Sequence, residues 1–269
     1  MPRTNMHTTR RRPATTGLLT LRVLRRERVS PHFARVTLGE GDIEQFAPMG
    51  FDQWFRLFIP VSDGSLSRVP AKLSALSYAR FLMVSKTTRP VMRSYSVRAF
   101  RPEAGELDVD FVLHGSVDDG TCGPAAAWAQ TCSPGDPVAI LDEGVGFNPP
   151  DGLSAVTLVA EESGLPAMAG VLRSLPDNAT GRAFIEIPDG EDSQELAAPS
   201  GVDIQWIVRE DPHGVPGRAA AEAVRDIPTT GYHWVVGESA LATGMRGHWA
   251  RTGVSKERIM FCGYWKHRR

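Results

Sequence analysis

The sequence predicts a β domain followed by an α/β domain: an antiparallel sheet, closed as a β-barrel or sandwiched, then a five-stranded parallel sheet. Three observations predict it. The first half holds six short runs rich in β-branched and aromatic residues, bounded by Gly, Pro and Asp clusters. From residue 155 onward, apolar strands alternate with helical spacing, the pattern of a parallel sheet flanked by helices. Between the halves, Gly-Phe-Asn-Pro-Pro-Asp-Gly at 146–152 has linker composition. A chain of 269 residues can build two cores.

The elements follow in order. Residues 1–16 are rich in Thr and Arg and read as a disordered basic tail, without the apolar stretch of a secretory signal. The barrel domain spans 17–148, with strands at 18–24, 33–38, 54–59, 94–100, 107–113 and 137–141. One helix interrupts it at 123–130. The second domain spans 149–269, with strands at 155–160, 183–187, 204–208, 232–236 and 258–262. Between them Leu165, Met168, Val171, Leu172 and Leu175 share one helical face, and 218–227 and 239–251 are also helical. Open parallel sheets bind ligands at the carboxyl ends of their strands, where the strand order reverses.

Charge excludes some classes. Lys and Arg total 30 against 31 Asp and Glu, which argues against a general nucleic-acid binder. The balance is a cancellation. Residues 64–101 carry eight basic residues and no acid, and 102–120 carry six acids. The basic stretch suggests an anionic ligand, or at most of its positions a solvated loop with scattered arginines. No apolar run reaches the roughly 18 residues of a membrane span. Cys122, Cys132 and Cys262 match no metal-ligand spacing, and free thiols in a reducing cytoplasm are the simplest reading.

Two segments carry chemistry. Arg93-Ser94-Tyr95-Ser96-Val97-Arg98 places Arg93 and Tyr95 on one face of a strand, because side chains alternate with period two. A guanidinium suits a pyrophosphate, and an aromatic ring suits a flavin. An exposed strand with arginines on its polar face would read the same way. Further on, Gly123-Pro124 opens a helix whose first amides form an anion site.

The order of these motifs resembles the siderophore-interacting protein family of FAD-dependent ferric-siderophore reductases, within the ferredoxin–NADP reductase superfamily. The likeness runs through Arg-x-Tyr-Ser-x-Arg (93–98), Asp-Phe-Val-Leu-His-Gly (110–115), Gly-Pro-Ala-x-x-Trp-Ala (123–129) and Gly-Asp-x-Val (135–138). It continues in Ala-Glu-Glu-Ser-Gly-Leu-Pro-Ala (160–167), Trp-Val-Val-Gly-Glu (234–238) and Gly-Tyr-Trp-Lys (263–266). The resemblance implies that Arg93 holds the FAD phosphates, Tyr95 lies against the isoalloxazine and Ser96, beside Val97, bonds near N5. It further implies that Asp110, Val112 and His114 line the flavin. The amides of Ala125 and Ala126, opened by Gly123 and Pro124, would receive the pyrophosphate, with Trp128 packed behind them. In the second domain it implies that Glu162, Gly237 and Glu238 face NADPH or NADH and that Trp265 covers the flavin. Arg209 is a position for reading a 2′-phosphate, which would separate the two nucleotides.

The implied reaction passes electrons from NAD(P)H through FAD to a ferric siderophore and releases Fe(II). Many ferric siderophores are anionic, and Lys266, with Lys72 and Arg98 behind it, is the expected attractor. Two other readings share these motifs: a flavin oxidoreductase serving another acceptor or taking electrons from ferredoxin, and a non-catalytic siderophore binder. The chain departs from the family at 160–164, where Gly164 stands for an alanine, and at Val145, where the family carries an arginine.

Overall fold

The computed structural model describes residues 4–5, 10–14, 17–72, 74–118 and 120–267. The chain divides into two compact units. One comprises Arg12–Met49 and Gln53–Gly144; the other comprises Met1–Arg11, Gly50–Asp52 and Val145–Arg269.

The first unit holds β1 (Leu18–Ser30), β2 (Phe33–Gly39), β3 (Trp54–Ile59), β4 (Val91–Ser96), β5 (Ala99–Arg101), β6 (Glu106–Val112) and β7 (Pro137–Gly144). All pair antiparallel, in the order β4-β3-β7-β1-β2-β6-β5. The run 94–100, read as one strand, is divided between β4 and β5 at opposite edges of the sheet. Val97 N–H donates to the Gln53 carbonyl at 2.8 Å, and Arg98 N–H donates to the Asp108 carbonyl at 3.0 Å. Successive amides therefore serve opposite edges. In a flat sheet those edges would stand about 28 Å apart. From Ser96 to Ala99 the backbone reaches about 11 Å at most. The sheet must roll up, which makes it a barrel. Its core alternates along the strands: Leu21, Val36, Leu57, Val109 and Ile140 are fully buried.

Two helices belong to this unit. α1 (Ala75–Met83) lies in the basic stretch, to which the sequence reading assigns no helix. Its exposed apolar residues, Leu76, Leu82 and Met83, share one side, and Phe81 is buried on the other. Ser74 and Ser77 close a capping box at its start, and Phe81 is buried 5.7 Å from Phe58. α2 (Pro124–Thr131) lies one residue beyond its predicted position.

The second unit holds β8 (Ala155–Glu161), α3 (Leu165–Ser174), β9 (Thr180–Ile187), β10 (Gly201–Val208), α4 (Arg218–Val224), β11 (Tyr232–Glu238), α5 (Ser239–Arg251) and β12 (Ile259–Trp265). The strands are parallel, in the order β10-β9-β8-β11-β12. From β8 the chain first builds towards β10 and then returns to add β11 and β12 on the other side. Right-handed crossovers in opposite directions put helices on both faces. α4 and α5 share one face with Val159, Phe184 and Val235.

Two smaller segments complete this unit. Asp52 is buried and accepts the amides of Gly146 and Phe147 at 2.9 and 2.8 Å and the Trp234 indole N–H at 3.2 Å. Thr4 bridges to Cys262, and the Asn5 carboxamide accepts from Phe261 N–H at 3.0 Å and donates to the Ile259 carbonyl at 2.7 Å. These residues of the expected disordered tail are therefore bonded along β12. Residues 1–3, 6–9 and 15–16 of that tail lie outside the described ones. Among the described residues, no helix is long and apolar enough to cross a membrane.

His233 on β11 is buried, with its ring 4.8 Å from Trp249. Burial, with Arg258 nearby, lowers its pKa from 6.5 to about 4. The unfolded chain therefore takes up this proton at higher pH than the folded one. Stability should fall as pH drops from 6.5 towards 4, by about 2–3 kcal/mol from this residue. Urea midpoints across that window test it: His233→Gln should flatten the slope, and an unchanged slope would exclude His233 as its source.

Candidate functional site

The barrel positions one group of residues. β4 pairs with β3 so that Arg93 faces Leu57 and Tyr95 faces Phe55, and both partners are fully buried. Arg93 and Tyr95 thus issue from the core-facing side, as their spacing predicts. The Tyr95 ring lies 4.3 Å from Phe111 on β6, and Phe111 lies 5.7 Å from Trp128 on α2. Three aromatics therefore tie β4, β6 and α2 together. Burial pushes the Tyr95 phenol up, against the pull of the Arg93 charge. Ser96 is half-buried opposite Trp54, and Val97 enters the core.

Arg93 differs from its neighbours. Its guanidinium is exposed and donates to the Met92 carbonyl at 2.9 Å. Among the described residues no carboxylate lies within ion-pair reach of it. Arg98 and Arg35 instead meet the buried Asp110 at 3.3 and 2.6 Å, and Arg101 meets Asp108 at 2.6 Å and Glu106 at 2.8 Å. The acidic run after the basic stretch thus neutralises its last two arginines. Arg98 is not a free attractor, and the Asp110 carboxylate is turned to arginines. Val112 is half-buried opposite Phe33, and His114 is exposed beyond the end of β6.

α2 begins without a side-chain cap. Gly123 is extended at the cap position and Pro124 brings no N–H, so the amides of Ala125 and Ala126 head the helix. Trp128 lies one turn further on. An exposed arginine with no carboxylate in reach among the described residues, an uncapped helix start and a half-buried tyrosine face fit a flavin dinucleotide: charge and amides for the diphosphate, a ring for the isoalloxazine.

The second unit gathers its residues at the carboxyl ends of β8 and β11, where the strand order reverses. Glu161 is fully buried and accepts from Ser163 N–H at 2.7 Å, from the Ser163 hydroxyl and from the Trp265 indole N–H at 3.0 Å. Burial and the neighbouring Glu162 push its carboxyl well above the usual carboxylate range. Gly237 has φ 125°, and a Cβ there would sit 2.5 Å from a Glu161 carboxylate oxygen. Gly164, in place of the family's alanine, is equally confined: its Cβ would stand 2.7 Å from Val236 and 2.8 Å from Ala160.

Three expected nucleotide contacts have other partners. Glu162 is buried and held by both terminal nitrogens of Arg209 at 2.9 and 2.8 Å. Arg209 also reaches Glu186 at 3.0 Å, so it cannot present its guanidinium to a 2′-phosphate. Glu238 caps α5, accepting from the amides of Ala240, Leu241 and His267. Lys266 is exposed. Val145 is buried and exchanges backbone hydrogen bonds with Arg11 at 2.9 and 3.0 Å.

Sequence reading did not assign roles to Phe111, Glu161 or Ser163. Phe111 was accessible from strand alternation, which separates it from Asp108 and Asp110. The Glu161–Trp265 contact joins residues 104 apart and has no local signature.

The barrel followed by this parallel sheet defines a flavin-and-nicotinamide reductase fold. The Vibrio cholerae nitric oxide dioxygenase FAD/NAD binding domain shares it over 94% of this chain and 100% of that domain, at 14% identity and a TM-score of 0.64. Residues 22–146 match the siderophore-interacting FAD-binding domain, and residues 153–268 match the siderophore-interacting protein family. SipS, a siderophore-interacting protein from Aeromonas hydrophila, is 30% identical, with a TM-score of 0.71 over 94% of this chain and 99% of SipS. The chain belongs to the siderophore-interacting protein family. Mycobacterium tuberculosis Rv2895c, an uncharacterized protein, is 35% identical over 67% of this chain, and the match spans only 62% of that relative. The NADPH-dependent ferric-chelate reductase of Escherichia coli is 28% identical over 91% of both chains.

The Glu161 contacts make a prediction. The Trp265 indole N–H resonance should titrate well above the usual carboxylate range and stop titrating in Glu161→Gln. Gly237→Ala should shift the same resonance and destabilise the protein by about 1–3 kcal/mol. Nuclear magnetic resonance and urea unfolding measure both effects.

Proposed function

We propose that this protein is an FAD-dependent reductase that passes electrons from NAD(P)H to ferric siderophores and releases Fe(II). The observation that carries the reading is Arg93, an exposed guanidinium with no carboxylate in ion-pair reach among the described residues, on the same strand as Tyr95, which contacts Phe111 and through it Trp128 of an uncapped helix. The E. coli relative, named an NADPH-dependent ferric-chelate reductase, supports the same reading.

In this reading Arg93 and the amides of Ala125 and Ala126 hold the diphosphate. Tyr95, backed by Phe111, presents a ring to the isoalloxazine, and Ser96 offers a hydroxyl near it. FAD, when bound, supplies the exchange between a two-electron hydride donor and a one-electron acceptor. The donor docks at the carboxyl ends of β8 and β11, where Gly237 leaves room for the Glu161 carboxyl and Glu161 holds the Trp265 indole. Siderophores bind Fe(III) through hard oxygen donors that suit Fe(II) far less well, so one added electron loosens the metal. No side chain of this chain needs to form a covalent bond. The cytoplasm supplies the nucleotide, and three free cysteines agree with a reducing compartment.

The reading is tested by anaerobic reduction of a panel of ferric siderophores with NADPH and with NADH. Expected are bleaching of the flavin band by one nucleotide and release of Fe(II) to a colorimetric chelator. A protein that cannot be loaded with FAD overturns it. A flavoprotein bleached by reduced ferredoxin and by neither nucleotide moves it to the ferredoxin-dependent reading. Arg93→Ala should weaken FAD binding about 10- to 100-fold, the worth of a charge-assisted hydrogen bond, as measured by flavin fluorescence.

Lys266, adjoining Trp265, attracts the anionic iron chelate in this reading. Lys266→Ala should lower kcat/KM for anionic chelates and flatten its dependence on ionic strength. An unchanged rate and salt slope would remove Lys266 from the substrate path.

A further inference from the structure

The outer face of α1 is reversed relative to an ordinary surface helix. Phe81 points inward, Tyr78 packs under Arg56, and Ser77 closes the cap. The opposite face carries Leu76, Ala79 and Met83 at helical spacing, with Leu82 beside them. Leu76 is 63% exposed, Leu82 46% and Met83 84%. A soluble helix normally turns its polar residues outward. Here the outward face has one charge, Arg80.

The helix is held in this orientation. The capping box fixes its first turn, Phe81 and Phe58 pack edge to face, and Arg89 donates to the Leu82 carbonyl at its end. It cannot roll its apolar face inward without losing all three contacts.

The charges next to it in the sequence are of one sign, and the Glu143 carboxylate near Tyr78 is taken up by Arg56. Arg68 and Lys72 precede the helix and Lys86 follows it; all three are exposed. The surrounding sequence carries no acid from residue 64 to 101. Such a face disfavours pairing with a second copy of itself, because like charges would meet across the contact. Aliphatic side chains ringed by long basic ones suit an anionic lipid surface. The aliphatic groups enter the acyl boundary while Lys and Arg stems reach up to the phosphates.

We propose that α1 docks this protein reversibly onto an anionic lipid bilayer, with Leu76, Leu82 and Met83 inserted and Lys72, Arg80 and Lys86 on the headgroups. This inference stands apart from the reductase reading. One short helix with three aliphatic side chains gives peripheral, salt-sensitive attachment.

The test is co-sedimentation of the full FAD-loaded chain with vesicles of phosphatidylcholine alone and of equal parts phosphatidylcholine and phosphatidylglycerol. Binding is expected to the mixed vesicles only and should fall several-fold in high salt. Leu76→Ser with Met83→Ser should weaken it about tenfold, with flavin absorbance and urea midpoint unchanged. Leu76→Trp should strengthen it, with a blue-shifted emission on vesicle addition. Failure to bind mixed vesicles overturns the proposal. So does equal binding by the double serine variant, which would place the contact elsewhere. Concentration-dependent dimerisation abolished by the same variant would overturn it in favour of a second copy. Loss of nucleotide-driven reduction with vesicle binding intact would count against the reductase reading alone.

Discussion

The barrel depends on a two-residue crossing. Val97 and Arg98 carry the chain from one edge of a seven-stranded sheet to the other, and so short a link permits no open sheet. Closure then does chemical work. It brings Tyr95 on one edge strand against Phe111 beside the other, and Phe111 against Trp128 on α2. Arg93 is two residues before Tyr95, so its position is inherited from the same closure. Anything that opened the crossing would separate Tyr95 from Phe111.

The same crossing explains how charge is distributed. Arg98 lies inside it, and its guanidinium turns to Asp110, which Arg35 also holds. Arg101 follows on β5 and meets Asp108 and Glu106. These carboxylates are mostly buried, and each would be costly to leave without a partner. Structure thus consumes the arginines nearest the acids and leaves Arg93 exposed. Of the eight basic residues of 64–101, Arg98 and Arg101 are thus unavailable to an anion.

In the second unit, crowding at the ends of β8 and β11 is the organising constraint. Gly164 and Gly237 are both needed because Val236, Ala160 and the Glu161 carboxyl already fill the space a Cβ would take. The departure from the family pattern at 160–164 therefore has a steric reason. Glu161 in turn holds Trp265, so the loop after β8 sets the geometry of the last strand. Glu162, Arg209 and Glu186 form a separate buried network beside it.

Much was legible from the sequence because it is local. Period-two alternation placed Arg93 and Tyr95 on one face, helical spacing marked α3, and Gly123-Pro124 announced an uncapped helix start. The change of rhythm near residue 150 separated barrel from parallel sheet. The motif order identified the family. What the sequence could not decide is which charges neutralise one another, because ion pairs join residues brought together by strand pairing: Glu162 with Arg209, and Asp110 with Arg35. Nor could it show that 94–100 breaks into two strands, since that break follows from barrel closure and not from any residue within it. α1 was not read from the sequence, and only packing shows that its apolar stripe of Leu76, Leu82 and Met83 faces outward while Phe81 is buried. Local chemistry determined the elements and the residue types of the site; only tertiary packing decided which side chains remain free to meet a ligand.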